Sequence, residues 1–174
     1  MTTTLKHELG HTLGLGHDDE PARIMSNDPE DRIPDYHERR TILEAYNDSV
    51  TPYNRGATAW SNTLDAWNDG DFRLTEHYAV QASDAFADAL SLIDDARTTA
   101  SSIRAHDVAA LLSESFQHAN YRRMAAEAAA DMAQAAQAGR NPEPYRRSAN
   151  EYNSEARNIQ FHSSRVVATE LGLG

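Results

Sequence analysis

From Asn54 almost to its end the chain is alanine-rich and apolar at helical spacing, and that pattern leaves room for little except a mainly α fold. Trp60, Leu64 and Trp67 recur at i, i+4 and i+7 as one stripe, which Asn68-Asp69-Gly70-Asp71 stops. Asp71 can cap a second helix, carrying Tyr78, Ala82, Ala85, Ala89, Leu92 and Ala96 to about residue 98. A third is expected from about Ala105 to Ala138, with Val108, Leu111, Leu112, Phe116 and Ala119, ended by Gly139 and Asn141-Pro142. The fourth pattern is the cleanest: Tyr145, Ala149, Tyr152, Ala156, Ile159, Ser163 and Val166 alternate steps of four and three, a seam that closes at Gly172. Four helices with short turns predict an antiparallel four-helix bundle over 54–174. Alanine seams bury little area, so its stability is expected from Trp60, Trp67, Tyr78, Phe86, Phe116, Tyr152 and Phe161.

Ahead of the bundle, Asn47-Asp48-Ser49-Val50-Thr51-Pro52 reads as a turn-rich break, which places a linker at 49–53 and a separate unit at 1–48. That unit holds His7-Glu8-Leu9-Gly10-His11-Thr12-Leu13-Gly14-Leu15-Gly16-His17, with Met25 eight residues on. His7 and His11 are four apart, so on a helix they stand one above the other and can face one ion. Glu8 points about a quarter-turn away, placed to reach a water on the metal and act as a general base. Gly14 can end the helix and turn the chain back, which brings His17 to the same ion from a loop. Three protein ligands leave a fourth position for water, the mark of a catalytic zinc, and zinc lowers the pKa of such a water to about 7. His7, His11 and His17 are therefore the candidate zinc ligands, Glu8 the catalytic residue and Gly14 the helix-ending turn.

The run from His7 to His17 resembles the HExxHxxGxxH signature of the metzincin metallopeptidases. Pro21-Ala22-Arg23-Ile24-Met25 looks like their Met-turn, and the eight-residue step from His17 to Met25 is most similar to the matrixin branch. Ile33-Pro34-Asp35, followed by a helix with Ile42, Leu43 and Tyr46, resembles the last catalytic-domain helix of matrixins. The resemblance covers about residues 1–48. It implies that His7, His11 and His17 hold one catalytic zinc, that Glu8 is general base and acid, that Met25 lies beneath the metal, and that the protein is secreted. Asp18 and Ser26-Asn27 stand where matrixins usually carry Ser or Thr and Tyr-Pro, so the S1′ wall does not carry over. Metzincins also place a twisted sheet and a backing helix before the zinc helix, whereas only Met1 to Lys6 precede His7. The sheet, whose edge strand would align substrate, is expected to lie outside this sequence, and this form is expected to be weakly active or inactive. Leu5, Leu9 and Leu13 then need cover from the bundle or from another chain.

Composition narrows the partners. The net charge is −11, Lys6 is the only lysine, and the charge is spread without a basic patch, which argues against nucleic acid. An acidic, lysine-poor surface suits a salt-rich setting, because carboxylates hold water and repel neighbours when salt screens charge. There is no cysteine, so disulfides and thiolate metal sites are excluded. No apolar run is long enough to span a bilayer, and no secretion leader is recognisable at the N-terminus. Asp18-Asp19-Glu20 with Asp28, Glu30 and Asp31 lacks the calcium-loop pattern and reads as a solvated acidic loop rather than a calcium site. His77, His106, His118 and His162 are isolated and read as surface or hydrogen-bonded histidines.

Two functions compete. One is a zinc endopeptidase acting on a polypeptide; the other is a non-catalytic helical module with a residual zinc hairpin, which binds a protein partner or itself. In either case the chain should bind one zinc. Metal analysis of dialysed protein is expected to give one ion per chain and a clear loss in His11→Ala; equal loading of the variant would contradict the ligand set.

Overall fold

The structure, a computed structural model, describes residues 35–174. These residues form five helices and, among them, no strand: α1 Tyr36–Asn68, α2 Phe72–Ser102, α3 His106–Gln137, α4 Glu143–Asn158 and α5 Ser164–Glu170. The expected mainly α class holds for them. Asp35 starts α1 with a reciprocal cap: its carboxylate accepts from the Glu38 amide at 2.9 Å, and Glu38 accepts from the Asp35 amide at 2.9 Å. Asp71 caps α2 through the Leu74 amide, as its position suggested. Three-residue turns join α1 to α2 and α2 to α3, so these long helices run antiparallel and pack in chain order, α1 on α2 and α2 on α3. Helix α4 lies along the C-terminal half of α3, and α5 reaches α1 and α3 near their other ends.

The buried faces follow steps of four and three. On α1 they run through Ile42, Tyr46, Ser49, Tyr53, Gly56, Trp60, Thr63 and Trp67, and on α2 through Thr75, Ala79, Ala82, Phe86, Ala89, Ile93, Ala96 and Ala100. Helix α3 is enclosed on several sides around Ala125 to Ala135, because α2 and α4 pack on it there. The core has two parts. One gathers Ile42, Tyr46, Leu90, Ile93, Val108 and Leu112 with Val167 of α5 and with Leu171, which caps its end. The other gathers Trp60, Phe86 and Met132 with alanines of α1 to α4. Tyr53 packs against both.

Three expectations are corrected. The linker expected at 49–53 is helical: α1 runs through it with Pro52 inside, and Ser49 and Pro52 are buried. Proline removes one amide and disfavours a helix interior. Here the neighbours on the same face are packed on either side of it, and Ser49 Oγ donates to the Tyr46 carbonyl at 2.6 Å. A boundary after residue 48 therefore falls in mid-helix, and Ile42 and Tyr46 belong to the core that α2, α3 and α5 complete. The fourth helix is also not continuous. It stops at Asn158, Ile159 to Ser163 form an irregular stretch, and Ser163 caps α5 through the Val166 amide. Across that break the register changes, so that Val167 is buried where Val166 was expected. Tyr78, Leu92, Leu111 and Phe116 are half-buried, at the margins of their seams.

Gly56 lets Phe86 approach α1 closely. A Cβ there would lie 2.8 Å from two ring carbons of Phe86, a side chain with no solvent exposure. Gly56→Ala gains about 1 kcal/mol of helix propensity but overpacks the ring by about 1–3 kcal/mol. The variant is expected to be less stable by about 1 kcal/mol in urea unfolding, and Phe86→Leu in the same chain should relieve that penalty.

Candidate functional site

His7, Glu8, His11, Gly14, His17 and Met25 lie outside the described residues, as do the acidic residues from Asp18 to Asp31 and the apolar face of Leu5, Leu9 and Leu13. The place where the chain joins them is described. Asp35 caps α1, and Arg39, one turn in, donates from Nη1 to the Leu171 carbonyl at the end of α5 at 3.1 Å. The C-terminal helix is thus tied to the residues that follow the histidine segment. Among the described residues, no three His, Asp or Glu side chains stand together as a metal site. No helix among them is long and apolar enough to cross a membrane.

Polar side chains do converge at the break between α4 and α5. An irregular backbone inside a core leaves amides and carbonyls without helical partners, and α1 and α3 supply them. Tyr46 Oη donates to the His162 carbonyl at 2.6 Å. Since its one proton is used there, Ser115 Oγ donates to Tyr46 Oη at 3.0 Å and accepts the His162 amide at 3.1 Å. The three bonds close a ring that binds both polar groups of one peptide residue. Burial pushes the Tyr46 phenol up to about 12, against the opposing hydrogen bond from Ser115, so the hydroxyl keeps the proton that it donates.

The two buried histidines flank that ring. His162 Nε2 meets the Glu114 carboxylate at 2.8 Å, and its Nδ1 is buried without a hydrogen bond. His118 Nδ1 lies 2.7 Å from the Ile159 carbonyl, which only accepts, so Nδ1 carries the proton. His118 Nε2 is then the acceptor for Tyr53 Oη at 2.7 Å, with Arg122 Nε beyond at 3.5 Å. Arg122 is held in turn by Asn153 Oδ1 at 2.6 Å. Burial raises the Tyr53 phenol, while Arg122 opposes. Phe161 completes the arrangement: its ring stacks on Tyr53 with centroids 3.8 Å apart and lies 5.8 Å from His118.

His118 and His162 are thus hydrogen-bonded histidines, as their isolation in the sequence suggested, but they work together on one segment. His77 is exposed and meets Gln81, and His106 is exposed at the start of α3. No sign of the convergence is visible in the sequence, because the partners from different elements are 31 to 116 residues apart. A surface groove of 730 Å3 lies between α1 and α2, where Arg55 reaches Asp88 at 3.4 Å. A smaller one of 200 Å3 is lined by Trp60, Trp67, Met132 and Arg146. Comparison with protein-family models, with curated proteins and with solved structures finds no match for the chain.

Removing the Tyr46 hydroxyl leaves the His162 carbonyl buried without its donor, which costs about 1–3 kcal/mol. Tyr46→Phe and Ser115→Ala are each expected to lower the urea midpoint. Because they act on one ring of bonds, the double variant should lose less than the sum of the two.

Proposed function

We propose that the chain carries the zinc-binding and general-base segment of a zinc endopeptidase, similar to the matrixin branch of the metzincins, joined to a helical domain. The reading is carried by one observation, the spacing His7-Glu8-x-x-His11-x-x-Gly14-x-x-His17 with Met25 eight residues on. Three neutral imidazoles are a donor set that suits zinc and leave a position open to water. When bound, zinc supplies Lewis acidity toward water and toward the scissile carbonyl. His7, His11 and His17 would hold it. Glu8 takes a proton from the attacking water and returns it to the leaving amine, a transfer that contributes about 10²–10⁴-fold to the rate. The substrate class is a polypeptide.

A second reading, a helical interaction module with a residual zinc hairpin, is favoured by the course of α1. Ile42 and Tyr46, which the resemblance assigns to the last helix of a peptidase domain, have no solvent exposure and pack in the helical core. The helical part would then bind a protein partner or a second copy, and the zinc hairpin would be an appendage.

Glu8→Gln separates the two. It keeps size and polarity and removes the base, so zinc content should stay the same while chelator-sensitive hydrolysis of a denatured protein falls by about 10²-fold or more. The assay compares this form with one extended upstream to carry the sheet, and if the extended form shows no Glu8-dependent cleavage, the peptidase reading fails and the interaction module takes its place.

A further inference from the structure

We propose that residues 159–174 form a strap that neutral His118 holds against α1 and α3, and that a proton on His118 releases it while α1, α2 and α3 stay packed together.

The strap has few other holds. Phe161, Val167 and Leu171 are its apolar anchors, Arg39 binds the Leu171 carbonyl, and Tyr46 and Ser115 bind His162. The three long helices, by contrast, pack along some thirty residues each. His118 is the first hold that the chain meets after α4: its Nδ1–H reaches the Ile159 carbonyl in either protonation state, but its Nε2 accepts from Tyr53 only while the ring is neutral. Neutral, it donates from Nδ1 to the Ile159 carbonyl and accepts at Nε2 from Tyr53. Protonated, it would turn an N–H toward the Tyr53 hydroxyl and the Arg122 guanidinium, and that cation is already fixed by Asn153.

Among the described residues no carboxylate answers that charge. From α1 the ring meets Tyr53, and from its own helix Arg122. Glu114, one turn earlier, is taken by His162 of the strap. From α4 come Asn153, bound to Arg122, and the Ala156 carbonyl; from the strap come the Ile159 carbonyl and the Phe161 ring. From α2, Phe86 reaches Tyr53 rather than the histidine. Among the described residues Arg122 is the one charge that bears on His118. Burial first, and Arg122 as well, hold the imidazole below its ordinary 6.5, while the Ile159 and Ala156 carbonyls oppose. With the strap released the ring is in water and recovers its ordinary value. The released state then binds more protons, so acidification favours it, by up to about tenfold in the opening constant per pH unit below about 6.5.

Hydrogen exchange of the full chain, followed by peptide mass and corrected for the intrinsic pH dependence of exchange, tests this between pH 7.5 and 5. Peptides from 160–174 are expected to lose protection as the pH falls through about 6.5, by at most about tenfold per pH unit, while peptides from 79–100 of α2 keep theirs. His118→Asn retains an amide N–H for the Ile159 carbonyl and takes up no proton, so its strap should be insensitive to pH. If that variant does not fold, the wild-type ring can be followed instead by NMR, and its protonation should share a midpoint with the change in the Phe161 ring signals. Strap protection that stays flat to pH 5, a simultaneous loss in α2, an unchanged pH response in His118→Asn, or a His118 titration that leaves Phe161 unmoved would each overturn the proposal.

Discussion

Phe86 lies against α1 because residue 56 has no side chain, and the rest of the interior is arranged from that contact. With Phe86 seated on Gly56, its ring meets Tyr53 at 5.5 Å, and Tyr53 stacks on Phe161 of the C-terminal segment. Phe161 in turn faces Tyr46 at 6.1 Å. One row of rings thus crosses from α2 through α1 to the chain beyond α4, at the level where the two parts of the core meet. Each buried aromatic contributes roughly 2–3 kcal/mol by burial, and ring pairs add about 0.5–1.5 kcal/mol. A bundle whose other seam positions are largely alanine, serine and threonine has few interactions of comparable size. Tyr53 also gives its hydroxyl to His118, so the same residue joins the apolar row to the polar ties of the break.

How much of this could be read in the sequence depends on the size of the side chain at each seam position. The ends of α1, α2 and α3 were legible because Asn68 to Asp71, Asp71 and Gly139 are strong local signals, and the structure places helix ends beside them. The helix across 49–53 was not. Ser49, Gly56 and Thr63 occupy seam positions with small or polar side chains, and Pro52 adds a residue that normally ends a helix, so a search for large apolar residues finds a gap where the steps of four and three continue unbroken. The fourth column shows the opposite error. Tyr145 to Ala156 keep the seam, but its extension through Ile159, Ser163 and Val166 is a coincidence of spacing that tertiary contacts override. Ser163 is worth more as a cap, and His162 as a residue bound at both its amide and its carbonyl. The histidine segment is a pattern of the sequence and lies outside the described residues, whereas the convergence at the break was invisible because its partners are distant in the chain.

The course of α1 bears on how the two parts of the chain are related. A turn-rich linker after residue 48 would let an N-terminal unit and a helical unit move independently. A continuous helix does not. Residues 36–48 pack on α2, α3 and α5, so whatever precedes Asp35 is attached to the first turn of a core helix, and Arg39 in that turn also holds the last carbonyl of α5. The described part of the chain therefore begins in the first turn of a core helix, and changes in how α5 is seated act at that turn.

A broken helix in a core needs a reason to be stable, since a continuous one would satisfy its own backbone. Here side chains from two helices supply the missing bonds: Tyr46 and Ser115 serve both polar groups of His162, and His118 serves Ile159. Such bonds contribute little net stability when they replace bonds to water, roughly 1 kcal/mol each, but an unmet carbonyl in the same place would cost about 1–3 kcal/mol. Their effect is to select one path for the chain after Asn158. The path they select turns Phe161 inward onto Tyr53, and a straight extension of α4 would have to give up those three bonds to keep its own. The break is therefore held by specific polar partners and by one stack of rings.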